Sequence, residues 1–402
     1  MMAALPVPAA AQELVADSGD TAWQLAASAL VLMMVLPGLA LYYAGRVGRT
    51  GTNAGLAVFA ITAAVSLLWF IIGYSLTFSP TGSPYIGDGF NWMLNNLSMV
   101  RGDTTIPESV FALFQMGFAC FAACLVVGAV IDRARFGWLL AFACLWTLLV
   151  YVPIAHWMWG GWLGTKGALD FAGGLVVHTS AGVSALVAAF VLGKGNAAEA
   201  QASKDTPSRA LPYLTLAGVA MLWLGWFGFN GGSELAATDD AAIAIINTHV
   251  AAAAAALVWA LLQKLRQGAV TGEGVAMGGL AGLVSVTAAA GYIGPGAAIL
   301  IGLIGGAMCY LACQTVRARF PGMDAADIFA ISGVGGIVGT VLTAIFLAPQ
   351  FGGLGYDGNM TLASQLITQI IAVGVIILWA IVGTLICAFS AAVVSRMRVS
   401  EG

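Results

Sequence analysis

The chain alternates long apolar runs with short polar breaks from end to end. Apolar stretches of about 18 to 25 residues, long enough to cross a hydrocarbon core of about 30 Å as a helix, recur at roughly 22–45, 52–77, 109–131, 136–155, 171–193, 211–230, 241–263, 274–291, 296–316, 328–347 and 365–394. Eleven such runs predict an all-α polytopic membrane protein with eleven transmembrane helices. Polar residues inside the runs are few, so the exceptions stand out. The clearest is DFAGGLVVH, residues 170–178, where an aspartate opens an apolar run and a histidine follows eight residues later. At about 1.5 Å per residue His178 lies roughly 12 Å below Asp170, near mid-depth. An ionisable group there is costly unless it lines a cavity or has a partner, which makes His178 a functional-site candidate.

The breaks carry the charge. Of the 15 basic residues, Arg46, Arg49, Arg133, Arg135, Lys194, Lys204, Arg209, Lys264, Arg266, Arg317, Arg319, Arg396 and Arg398 fall in alternate loops or at the C-terminal end. Only Arg101 and Lys166 fall in the other set. The positive-inside bias predicts an N-terminus outside and a C-terminus in the cytoplasm, as an odd number of spans requires. Residues 1–20, with Glu13, Asp17 and Asp20, read as an extracytoplasmic segment, and MMAALPVPAAAQ reads as the remnant of a signal peptide. Residues 21–396 read as one transmembrane domain and 397–402 as a short cytoplasmic end.

Composition excludes a soluble domain: 60% of the 402 residues are hydrophobic and 8% charged, with a mean hydropathy of +0.94. The net charge of −3 gives no reason to expect a nucleic-acid partner. Cys120, Cys124, Cys144, Cys309, Cys313 and Cys387 all lie in apolar runs without metal-binding spacing, and read as small packing residues.

A weak internal repeat adds topology. Asp324 is followed eight residues later by Ser332, as Asp170 is by His178. The fifth helix descends from outside and the tenth rises from inside, so the two polar groups reach similar depth from opposite sides. This predicts an inverted repeat, helices 1–5 against 6–10, with a path at their interface. The eleventh run, about 30 residues, suits a long helix tilted across the outside of the bundle.

No catalytic triad, P-loop, zinc motif or dinucleotide fingerprint is present, so neither an enzyme nor a cofactor or metal is expected. The distinctive material is aromatic: FQMGFAC (114–120), AHWMWGGW (155–162) and GWFGFNGGS (225–233). Trp157 and Trp162 read as interface-belt residues. Trp159 and the 225–233 segment suit an aromatic vestibule with hydroxyl and amide acceptors, a chemistry that attracts a desolvating cation. His156 is expected at the outer surface. His249 is expected to hydrogen-bond within the bundle, and Asn230 and Asn247 to satisfy backbone groups.

At these segments, together with PGLALYYAG, IDRARFGW, INTHVAAAAAAL, GYIGPG and DIFAISGVGGIVG, the chain resembles the Amt/Mep/Rh ammonium transporter family over nearly its whole length. The resemblance implies a homotrimer with a pore through each subunit, in the cell membrane. It implies an outer ammonium site of Phe118, Trp159 and Ser233, supported from within by Asp170, which also caps its helix. Phe118 and Phe229 would form a phenyl gate beneath it, with Trp226 beside the lumen and His178 as the first pore histidine. The family pairs that histidine with a second on helix 10, where this chain has Ser332. Serine does not titrate near neutrality, so Ser332 is expected to hold His178 in one tautomer or to hold a water. Many relatives continue into a cytoplasmic tail that docks PII-type regulators, or into a fused signalling domain; this sequence ends at MRVSEG. Two functions follow: an ammonium or ammonia transporter, or an ammonium sensor that conducts little and signals through its C-terminal end. A carbon dioxide or water channel fits the cationic vestibule less well.

Overall fold

Helix is the only way a single segment can satisfy its own backbone in lipid, and the apolar runs fold accordingly. The computed structural model describes residues 15–47, 51–194 and 211–398. Residues 1–14, which include most of the leader-like start, lie outside that set, as do Arg49, Lys204, Arg209 and the last four residues. The spans are α1 Ser18–Val47, α2 Ala54–Phe78, α3 Glu108–Val127, α4 Phe136–Met158, α5 Gly174–Leu192, α6 Pro212–Glu234, α7 Asp239–Gln267, α9 Pro295–Arg319, α10 Phe329–Phe346 and α11 Leu362–Val394. Between α7 and α9 lies the shorter α8, Gly272–Val286.

Among the described residues, then, ten helices are long and apolar enough to cross a membrane, and the eighth apolar run ends early. It was expected to stay helical to 291, but the helix stops at Val286 and residues 287–294 run irregularly into Pro295. The reason is a partner for the backbone. Phe171 N–H donates to the Ala288 carbonyl and Ala172 N–H to the Thr287 carbonyl. Freed carbonyls at membrane depth are thereby satisfied by another unwound segment. The same pairing corrects the start of α5, which begins at Gly174 rather than 171.

The two halves pack alike. α1 lies on α6, and α5 on α10; α2 meets α3 and α4 as α7 meets α8 and α9. α11 covers α4, α5 and α10. The inverted five-plus-five arrangement with a long eleventh helix is therefore the observed one. Glycine permits a close crossing between the halves: a Cβ at Gly182 on α5 would overlap the backbone of Gly333 on α10.

Most of the described basic residues gather at one end, here the basic end. Arg46 pairs with Glu273 and Asp327, and Arg317 with Asp327. Arg135 donates to the Arg398 carbonyl, and Arg398 to that of Lys194. The opposite end, here the loop end, carries the long 79–107 connection and the α11 N-terminus, capped by Thr361 and Ser364.

Candidate functional site

Asp170 organises the loop end of α5. Its carboxylate accepts four backbone N–H groups, from Gly173 (3.0 Å), Gly174 (2.6 Å), Leu175 (2.8 Å) and Val176 (2.9 Å). These are the orphan donors that every helix start leaves, here taken up by one buried side chain. Gly173 sits at φ +101°, a conformation that admits glycine readily. The first turns of α5, Gly174–Thr179, are π-helical, a local widening often found at functional positions. His178 lies in that widened segment.

The backbone carbonyl of Asp170 accepts the indole N–H of Trp159 (2.9 Å). Trp159 meets Phe118 edge-on, with centroids 6.0 Å apart, and is only partly buried. Phe118 in turn stacks on Phe229 at 4.0 Å and 9°. Ser233 lies one turn beyond Phe229 and donates its hydroxyl to the Phe229 carbonyl (2.9 Å), leaving its oxygen lone pairs as acceptors. Asp170 thus both caps α5 and holds the indole, through different atoms.

Beneath the phenyl pair lies His178, fully buried. Its ring stacks on Trp226 at 5.2 Å and 10°, and it touches Phe121 and Phe229 at centroid distances of 6.0 and 6.1 Å. Trp226 is itself tied by its N–H to the Thr287 hydroxyl (2.9 Å), in the unwound stretch after α8. Among the described residues neither ring nitrogen of His178 has a hydrogen-bond partner. Of the two roles expected for Ser332, the direct bond to the imidazole is not seen among the described residues, and aromatic faces pack the ring instead.

Ser332 instead lines a cavity of about 30 Å³, with Trp226, Phe121, Tyr42 and Asp327 among its walls. That volume suits about one water-sized molecule. Ser332 occupies a π-helical turn, Phe329–Gly333, that mirrors the one around His178. Asp324 opens α10 as Asp170 opens α5, its carboxylate accepting Ile328 (2.7 Å), Phe329 (2.9 Å) and Ala330 (3.3 Å) N–H groups.

Several bystanders differ from expectation. His156 is buried rather than at the surface, because its two ring nitrogens face the Thr77 and Ser83 carbonyls of the 79–107 connection and the helix before it. Trp157 is buried too, bonding the Tyr85 carbonyl and packing on Trp379, so it is not a belt residue; Trp162 is partly buried beside it. His249 does accept a hydrogen bond, from the Trp223 indole (3.3 Å), but on the exposed side of α7. Asn247 satisfies the carbonyls of Ala290 and Ile293. Asn230 bonds the Thr248 hydroxyl instead of backbone. The cysteines are free, with Cys120 and Cys124 packed against α2.

The structure also adds residues that the sequence left unmarked. Phe78 lies nearly parallel to Trp159, at 6.4 Å and 12°. Behind it the Arg101 guanidinium faces both Phe78 (5.6 Å) and Phe111 (4.7 Å). Arg101 pairs with buried Glu108, which also accepts Tyr74, Asn91 and Ser98. Among the described basic residues Arg101 is one of only two away from the basic end, and that isolation is the signal the sequence carries.

Known proteins resemble this chain along its length. The model of the Ammonium Transporter Family matches residues 22–402. An ammonium transporter of Aquifex aeolicus is 41% identical over 399 residues, covering 97% of this chain and 91% of its own. The crystal structure of Candida albicans Mep2 superposes with a TM-score of 0.85 at 33% identity, covering 96% of this chain and 87% of that one. A structure described as a sensor Amt protein matches with a TM-score of 0.85 at 30% identity, covering 95% of each. With that match running through the bundle, the phenyl pair and the buried histidine, the chain belongs to the Ammonium Transporter Family.

Proposed function

We propose that this protein moves ammonium or ammonia across the cell membrane through a path in each subunit. The carrying observation is the vertical order of Trp159, the stacked Phe118–Phe229 pair, and buried His178 with both nitrogens free. The loop end is read as the outside, and the basic end as the cytoplasm, from the distribution of Lys and Arg. Phe118 and Trp159 present ring faces to a cation, Ser233 offers an acceptor, and Asp170 supports the site without touching the ion.

Selection follows from what can cross beneath. A bare cation at mid-depth is costly, and a charge-only pore cannot tell ammonium from potassium. Ammonium can leave its proton behind; potassium cannot. His178 offers two unpartnered nitrogens where a neutral ammonia would pass. Ser332 stands at the place where the family has its second pore histidine, so proton relay between two imidazoles is not available on this reading. The Ser332 hydroxyl would hold a water or an ammonia in the adjoining cavity. The family's homotrimeric assembly is proposed here by the same resemblance.

A second reading is an ammonium sensor that binds in the same place, conducts little and signals through the cytoplasmic end of α11 or a module beyond it. Ser332 and the likeness to the sensor Amt structure favour it. The experiment that separates them is an ammonium jump on purified protein in liposomes, on a solid-supported membrane. Transport predicts a sustained, saturable current with ammonium and none with potassium. Tight ammonium binding with neither current nor ammonia uptake would establish the sensor instead.

A further inference from the structure

Two glutamines stand in the first turns of α11, a helix otherwise almost wholly apolar. Gln365 and Gln369 lie one turn apart, and both are buried. An amide inside a membrane bundle is costly unless its donors and acceptor are matched. Gln369 matches them on one residue: its Oε1 accepts Leu169 N–H (2.8 Å), and its Nε2 donates to the Leu169 carbonyl (2.8 Å). That is the two-bond exchange a neighbouring β-strand would make, supplied here by a side chain. Nε2 also reaches the Thr340 carbonyl on α10 (3.3 Å). Gln365 donates to the Gly167 carbonyl (2.9 Å) and, at a long 3.5 Å, to the Gln369 Oε1, but makes no bond to Leu169 among the described residues.

Leu169 is the residue before Asp170, in an unwound stretch with no helix of its own to fix it. The next carbonyl along the chain, that of Asp170, is the one that holds the Trp159 indole. Resting on the reading of Trp159 as a wall of the ammonium site, we infer that Gln369 is a positioning residue for that site: its bracket on Leu169 sets the Asp170 carbonyl and so the plane of the Trp159 ring. Among the described residues the hydrogen bonds of Gln369 go to Leu169, Thr340 and Gln365, and none goes to Trp159, Phe118 or Ser233. The bracket also makes the start of α11 mechanically continuous with the mouth, while the far end of the same helix leads to Arg398 and its contacts with Arg135 and Lys194.

The test compares Gln369→Met with Gln365→Met, read as the ammonium concentration for half-maximal current and as the maximal current. Gln369→Met is expected to raise half-saturation by about three- to tenfold, the weight of one or two buried hydrogen bonds, with maximal current kept. Gln365→Met removes an equally buried amide one turn away and is expected to leave half-saturation within about twofold. A purely structural role would lower thermal stability alike in both variants and shift neither half-saturation. The decisive arm is a cycle with Trp159→Leu: once the indole is gone, adding Gln369→Met should raise half-saturation no further. Additive effects, or an unchanged half-saturation in Gln369→Met, overturn the proposal. If Gln369→Met does not assemble, Gln369→Asn keeps an amide but is one methylene too short to make both bonds, and carries the same expectation. If the wild type gives no current, transport fails but this inference does not: the same shifts are then read by ammonium calorimetry.

Discussion

Asp170 and Asp324 make the same local structure from opposite ends of the bundle: each carboxylate gathers the first N–H groups of a helix whose next turns are π-helical. Eight residues on, one half carries His178 and the other Ser332. The Asp170 carboxylate takes four donors and leaves none of them orphaned. Replacing it with alanine is expected to cost more than an ordinary exposed cap, about 1–3 kcal/mol or more, because the freed N–H groups are buried. Asp170→Ala should lower the unfolding midpoint in detergent and also weaken ammonium binding, since loss of the carboxylate's four bonds frees the segment whose backbone carbonyl at 170 holds the Trp159 indole. Asp324→Ala should lower the midpoint while leaving the ammonium half-saturation nearly unchanged. Equal effects of the two on half-saturation would refute a special role for Asp170.

How much of this was readable beforehand depends on range. The 170–178 and 324–332 spacings are local, and helical geometry turns them into depth, so the repeat and the buried histidine were legible. The end of α8 was not, because its apolar composition runs on past Val286. What unwinds it is a backbone partner at 171–172, more than a hundred residues away. His156 and Trp157 looked like surface groups for the same reason: the carbonyls that bury them come from residues 77–85. The phenyl pair came from family resemblance, since no spacing rule brings α3 and α6 together.

On the proposed reading, the two members of the Phe118–Phe229 stack have different tasks. Phe118 meets Trp159 and faces the mouth, whereas Phe229 packs on Phe121, Trp226 and His178 beneath. Phe118→Leu should raise the ammonium half-saturation by about five- to thirtyfold, corresponding to a loss of about 1–2 kcal/mol of cation–π attraction. Phe229→Leu should shift half-saturation less and reduce discrimination against larger amines such as methylammonium. Paired half-saturation and selectivity measurements on the two variants check this. Identical profiles would contradict the division.

Arg101 places a full positive charge behind Phe78, close to a site read as attracting cations. Its partner Glu108 neutralises it and is buried with several further donors. Glu108→Gln leaves the guanidinium uncompensated and replaces an acceptor of many bonds with a poorer one. Breaking such a pair from one side is expected to cost about 3–5 kcal/mol if fully buried, and less here because Arg101 is partly exposed. The variant should unfold earlier and bind ammonium more weakly at low salt, with the binding defect shrinking as ionic strength rises. A binding defect indifferent to salt would mean that packing of Phe78, and not charge, carries the effect.

Gly182 and Gly333 let α5 and α10 touch backbone to backbone, immediately beside Ser332. This contact limits what can be built at Ser332, the position proposed above as the second polar group of the path. Ser332→His adds a ring, and the cavity of about 30 Å³ beside Ser332 can take only part of it. Overpacking of this kind typically costs about 1–3 kcal/mol, so the variant is expected to fold with a lower midpoint. Gly182→Ala, in contrast, drives a Cβ into the Gly333 backbone, which has no rotamer to relax into. It is expected to destabilise the bundle severely, whereas Gly374→Ala on α11, with open space around its added Cβ, should be neutral or slightly stabilising. On the proposed transport reading, a folded Ser332→His protein would carry two imidazoles along the path and gain a proton exchange that His178 and Ser332 do not offer. Its ammonium current should exceed the wild-type current and acquire a new dependence on pH between about 5 and 8, where histidine titrates. A current no larger than wild type, with no new pH dependence, would place the proton route somewhere other than the His178–Ser332 axis.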